Sequence, residues 1–178
     1  MTDAMHKSGA TVRKVSRMNH AMRSEASASG SLTALPGCYV LLLHLVEAQP
    51  IQIGRLGLIE FPAGCHLYVG SAHGPGGLRG RLCHHLNPVT RPHWHVDYLR
   101  TVAPCMAVWY ATGESANECA WAAALAQMPG AAIIAPRFGA SDCGCAGHLL
   151  AFVQPPDASQ WAVRAGIEHL RVLKVSAA

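Results

Sequence analysis

Two tyrosines stand in matching settings, Tyr39 two residues after Gly37 and Tyr68 two residues before Gly70. Arg81 follows eleven residues beyond Gly70, with His85 four positions later, and that interval puts both on one face of a helix. Glu118 opens a later alanine-rich segment. Phenol, guanidinium, imidazole and carboxylate are side chains that move protons and hold anions or cations. Six of the eleven histidines (His66, His73, His84, His85, His93 and His95) fall within residues 66–95, a concentration that suggests a site. Cys143, Cys145 and His148 form a second group, with Cys119 beside Glu118. Cysteine and histidine at such short spacing suit a soft cation such as Zn2+. The pair is C-x-C and not C-x2-C, so a tight turn at Asp142-Cys143-Gly144 is the competing explanation.

These groups need elements to bring them together. Cys38–Val46 is an almost continuous apolar run, the pattern of a strand buried on both faces. Residues 50–57 suggest a turn-rich hairpin, Leu58–Phe61 an edge-like piece and Cys65–Gly70 a second core strand. Rings at Tyr39 and Tyr68 on neighbouring strands project into one space. Gly74-Pro75-Gly76-Gly77 make a loop suited to a phosphate, though without the lysine and Ser/Thr of a nucleotide-binding loop. The helix expected over Leu78–Leu86 carries Leu78, Leu82 and Leu86 on one face, and its first N–H groups are open to an anion.

His93–Val102 reads as a further helix with Trp94 packed in the core. Two histidines at i, i+2 on a helix point apart, so one at most of His93 and His95 enters a cleft. Asp97 either caps this helix or orients a histidine. Cys105–Ala111 is a third strand, Ser115–Met128 a helix ended by Pro129-Gly130, and Ala131–Ala135 and His148–Val153 are weaker strands. Asp157–Val175 is expected as an amphipathic helix with Trp161, Val163, Ile167, Leu170 and Leu173 on its apolar face. Hairpin-linked strands followed by helices favour an α+β layering over a doubly wound parallel sheet.

The chain of 178 residues suits one domain. Residues 1–35 read as a flexible basic arm, 36–153 as the folded domain and 154–178 as a helix packed on it. Residues 1–30 hold five basic against two acidic residues, +3 of the formal +4, leaving +1 for the rest. Attraction to phosphate must therefore come from local clusters and not from an overall field. No apolar run approaches the roughly 20 residues that span a bilayer, and no signal-peptide core is evident, so the cytoplasm is the expected location. Seven cysteines with only 13% charged residues suggest reduced thiols and an apolar surface open to a protein partner.

Gly37-Cys38-Tyr39 and Tyr68-Val69-Gly70-Ser71-Ala72 resemble the paired motifs of the GIY-YIG nuclease superfamily. The similarity extends through Gly-Gly-Leu-Arg-Gly-Arg, His93-Trp94-His95-Val96-Asp97-Tyr98-Leu99, Glu118-Cys119, and Phe138-Gly139-Ala140-Ser141-Asp142-Cys143-Gly144-Cys145 to His148. These details resemble a branch found alone or fused to endonuclease III-type DNA glycosylases. The resemblance implies a small central three-stranded antiparallel sheet flanked by helices. It also implies cleavage of one DNA strand with a single divalent cation, Mg2+ or Mn2+, held by Glu118, with Glu114 as a nearby alternative. Arg81 would orient the scissile phosphate, with Gly70, Ser71 and Arg79 beside the substrate. Tyr68 or Tyr39 would take the proton of the attacking water, helped by a histidine such as His93 or His95, and His85, one turn after Arg81, is a further catalytic candidate.

Such a tyrosine needs its pKa lowered by roughly two units from about 10, which a guanidinium and a cation can supply. Three functions follow: an endonuclease acting on structured or damaged DNA in repair, a catalytically weak nucleic-acid-binding module, or a zinc-stabilised interaction domain.

Overall fold

A computed structural model describes residues 32–113 and 116–175. Almost all of the expected basic arm, and Glu114, lie outside the described residues. β1 (Gly37–Leu45) is the central strand of an antiparallel sheet. It pairs with β4 (Gly64–Ser71) on one side and β5 (Cys105–Thr112) on the other. β6 (Leu149–Phe152) extends the sheet beyond β4, and β7 (Arg171–Lys174) beyond β5. The central three strands match the expectation, but the sheet has five. β2 (Gln49–Ile53) and β3 (Gly57–Phe61) form a separate hairpin.

Side chains alternate across a strand, so β1 must satisfy two apolar layers. Tyr39, Leu41, Leu43 and Leu45 face one core, where α1 (Gly77–Leu86), α2 (His95–Arg100) and the β2–β3 hairpin pack. Cys38, Val40 and Leu42 face the other, covered by α3 (Glu118–Ala126) and α4 (Ala158–Ala165). That is why the β1 sequence reads as an unbroken apolar run: only His44 of its nine residues is not buried. Each such apolar side chain contributes about 1.5–3 kcal/mol relative to exposure.

The C-terminal expectation is corrected. The helix ends at Ala165, because Gly166 adopts a left-handed conformation (φ 68°) and closes it. Val163, assigned to the apolar face, is 82% exposed. The chain then turns back, and Val172 and Leu173 join a strand that pairs with Trp109 and Val108 of β5. Ala131–Ala135 makes only an isolated bridge, Ala132 with Ala151. Among the described residues, no helix is long and apolar enough to cross a membrane.

Candidate active site

The spacing of glycine and tyrosine has a steric cause. Gly70 lies opposite Tyr39 in the β1–β4 register, and a Cβ on Gly70 would strike the Tyr39 ring and hydroxyl. Its absence lets the Tyr39 ring lie across β4 beside Tyr68, with centroids 6.5 Å apart. Gly37 is pressed under the Ala111 carbonyl and Leu78 in the same way. Gly139 (φ 71°) allows a loop to close over the other side of Tyr68.

Behind Tyr39 stands a buried polar relay. The Tyr39 hydroxyl lies 2.8 Å from Nε2 of His85, and His85 Nδ1 lies 3.7 Å from Asp97 Oδ1. Asp97 is the hub of α2. Its Oδ2 accepts the His93 and Trp94 backbone N–H groups, each at 3.0 Å, and faces His84 Nε2 at 3.3 Å. Its Oδ1 accepts from Arg100 Nη1 at 3.1 Å. Burial alone would raise the Asp97 carboxyl, but His85, these two N–H groups and His84 together hold it well below the usual carboxylate range. Burial pushes His85 down to about 4, against the pull of Asp97, so its imidazole is neutral near neutrality.

In front of Tyr39 is a pocket of about 310 Å³. Tyr39, Tyr68, Ser71, Arg81, His93, His95 and Glu118 all line it. They come from β1, β4, α1, α2 with the residues before it, and α3. The Arg81 guanidinium carbon sits 4.3 Å above the centre of the Trp94 ring, an arrangement that fixes the fork while leaving its N–H groups to an anion.

A family model described as a domain of unknown function, DUF123, matches residues 38–170. The chain belongs to the DUF123 family. That family is GIY-YIG-like. No curated protein and no solved structure matches this DUF123 chain.

Several expectations for the DUF123 site need correction. Arg79 is exposed and is absent from the pocket lining; its backbone N–H is bound by the Thr33 carbonyl. The first N–H groups of α1 are not open to an anion, since Gly77, Leu78, Arg79 and Gly80 donate to Gly74, Leu35, Thr33 and Gly76 respectively. Both His93 and His95 reach the pocket, because α2 begins only at His95 and His93 precedes it in non-helical chain. The tyrosines are not depressed. Burial, then the neighbouring Tyr68, raises Tyr39 well above its ordinary value despite Arg81, and burial followed by Glu118 raises Tyr68.

Trp94 packs against the core as expected and also lines the pocket, as do Gly139, Ser141 and, beyond its expected place in a tight turn, Asp142. The aspartate next to Cys143 was the available signal for the last of these.

The second DUF123 feature is a Cys3His cluster. Donor atoms of Cys119, Cys143, Cys145 and His148 lie within 4.8 Å of one another, a set compatible with Zn2+. The glutamate shares this neighbourhood: Glu118 Oε1 is 4.0 Å from His148 Nδ1.

Proposed function

We propose that this DUF123 chain is a metal-dependent endonuclease that hydrolyses phosphodiester bonds in structured or damaged DNA. The repair setting rests on the resemblance to the branch that also occurs fused to endonuclease III-type glycosylases. The observation that carries the reading is the Tyr39–His85 contact at 2.8 Å, backed by Asp97 and facing a pocket that also holds Arg81 and Glu118.

With a neutral His85 accepting the Tyr39 proton, the phenol oxygen turns its lone pairs to the pocket. It can then receive a proton from water as its own passes to His85 Nε2, and Asp97 offsets the imidazolium that results. A shuttle of this kind needs no free phenolate, which suits a tyrosine whose pKa is raised by burial. Arg81, steadied on Trp94, binds the phosphate and offsets charge as it develops. Glu118 and Asp142 both line the pocket, and two carboxylates are the hard oxygen donors that Mg2+ or Mn2+ takes. When bound there, such an ion supplies Lewis-acid stabilisation of the leaving oxygen. His93 and His95 add donors around the phosphate.

Labelled duplex, flap and four-way DNA incubated with Mg2+, Mn2+ or chelator test the proposal, with wild type beside Arg81→Ala and Glu118→Gln. The expected result is metal-dependent nicking lost in both variants. Nicking that persists unchanged in both sinks the site assignment. Salt-dependent binding without cleavage, unaffected by either substitution, means a nucleic-acid-binding module instead.

A further inference from the structure

The segment from Gly139 to Gly147 reads Gly-Ala-Ser-Asp-Cys-Gly-Cys-Ala-Gly. It forms neither helix nor strand, and it has almost nothing apolar to bury. Loops so poor in large side chains have little to order them. Yet this one supplies a wall of the pocket through Gly139, Ser141 and Asp142. Two backbone bonds, Arg137 N to Ala146 O and His148 N to Phe138 O, close its base, and Arg137 Nη1 reaches the Cys143 and Cys145 carbonyls. Its tip has the cysteines.

We propose that Cys119, Cys143, Cys145 and His148 hold one structural Zn2+ that ties this loop to the start of α3, with Glu118 as the carboxylate that orients His148. Tetrahedral bonds of about 2.3 Å to sulfur and 2.0 Å to nitrogen place S and N roughly 3.6 Å apart. Cys143 Sγ and Cys119 Sγ stand 3.5 Å and 3.8 Å from His148 Nε2. His148 itself is fully buried, and among the described residues its Nδ1 has no hydrogen-bond partner. An imidazole that gives Nε2 to a cation must carry its proton on Nδ1, and a metal-bound histidine ordinarily donates that proton to a carboxylate. Glu118 Oε1 stands 4.0 Å from Nδ1, so a closure of about 1 Å brings it to hydrogen-bond length to receive that proton. Binding sends the three thiol protons to solvent, and the thiolates leave a net negative centre, which donor type and closed coordination mark as structural.

Glu118 is then shared. One face steadies the zinc histidine while the other lines the pocket, so the zinc holds two walls of that pocket in register. Only the importance of this second face rests on the nuclease reading.

The full chain, purified under reducing conditions and supplied with Zn2+, is expected to retain one zinc per chain after dialysis. Co2+ in its place should give the intense visible bands of a tetrahedral site with near-ultraviolet thiolate charge transfer. Cys143→Ser and Cys145→Ser should lose the metal. Where those variants fail to fold, wild type decides: its three clustered thiols should resist a thiol reagent until a strong chelator removes the zinc. Glu118→Gln should keep the stoichiometry but bind zinc about 10–100-fold more weakly in competition with a chromogenic chelator. A chain without stoichiometric zinc, a pale octahedral Co2+ spectrum or unprotected thiols overturns the site. Unchanged affinity in Glu118→Gln overturns the role of the glutamate. DNA enters none of these measurements, so they fail or succeed separately from the cleavage assay.

Discussion

The Tyr39 hydroxyl and the His85 imidazole meet at 2.8 Å on the buried side of the pocket, and the far nitrogen of that imidazole faces Asp97. The pairing gives the two tyrosines different chemistry although both rings line the same space. Tyr39 has a neutral base behind it. Among the described residues no side chain hydrogen-bonds the Tyr68 hydroxyl, and the Tyr68 ring rests edge-on against Phe138 with centroids 6.1 Å apart.

Tyr39→Phe is therefore expected to lower single-turnover DNA cleavage by about 10²–10⁴-fold, the usual contribution of a positioned proton acceptor. Tyr68→Phe should lower it by a smaller factor. Equal losses in the two variants would contradict the relay.

Arg81→Lys should not rescue Arg81→Ala. Lysine has neither the planar fork nor the stack on Trp94, and loss of a transition-state donor typically costs about 10²–10³-fold in rate. Trp94→Leu leaves the guanidinium present but unsteadied. Since such a cation–π contact is worth about 1–2 kcal/mol when partly desolvated, steady-state kinetics should register a loss of roughly tenfold or somewhat more, mostly in KM.

Acid sensitivity follows from two buried histidines. Burial pushes both His66 and His85 down to about 4 from 6.5. The unfolded chain then binds more protons than the native one between these values, so stability is fully present above about pH 6.5 and drains away as pH falls toward 4. Each histidine accounts for about 3 kcal/mol over that window. Asp97, held low, adds its own loss only below the ordinary carboxylate range. Among the described residues neither His66 ring nitrogen makes a well-formed hydrogen bond, so relative to wild type His66→Phe should fare correspondingly better at pH 4.5 than at pH 7.5. Thermal melts at the two pH values check this, and an unchanged pH dependence would refute it.

Gly70→Ala should cost about 1–3 kcal/mol in urea unfolding, as overpacking does, because the added methyl meets the Tyr39 ring. The same change should displace Tyr39 from His85, so the surviving folded fraction should cleave as poorly as Tyr39→Phe.

Much of this arrangement was legible in the residues. β1 is visible because burial on both faces leaves no polar alternation, and Tyr39, Tyr68 and Arg81 are visible from type and spacing, whereas Glu118 stands out only through the resemblance, with Glu114 beside it as an alternative. The partner of His85 is not visible, since a four-residue interval places it beside Arg81 and says nothing of what lies behind a tyrosine on another element. Asp97 gathers donors from two helices and the backbone before α2, and no local pattern separates a cap from such a hub. β7 was hidden for a different reason: Trp161, Val163, Ile167, Leu170 and Leu173 mimic a helical stripe, while Gly166, the residue that ends the helix, sits unobtrusively inside it. His93 reaches the pocket because α2 begins at His95, two residues later than a helix starting at His93, so the i, i+2 argument that two helical histidines point apart does not apply to it.

Trp94 has an optical consequence. Of the four tryptophans, Trp109, Trp121 and Trp161 lie together in the layer under α3 and α4, with Trp161 centroids 5.4 Å and 5.2 Å from the other two. Trp94 stands on the opposite side, under a guanidinium that an arriving phosphate would pull away. Intrinsic emission thus divides into a constant background and one responsive fluorophore, whose quenching can be followed without a label while the pocket fills.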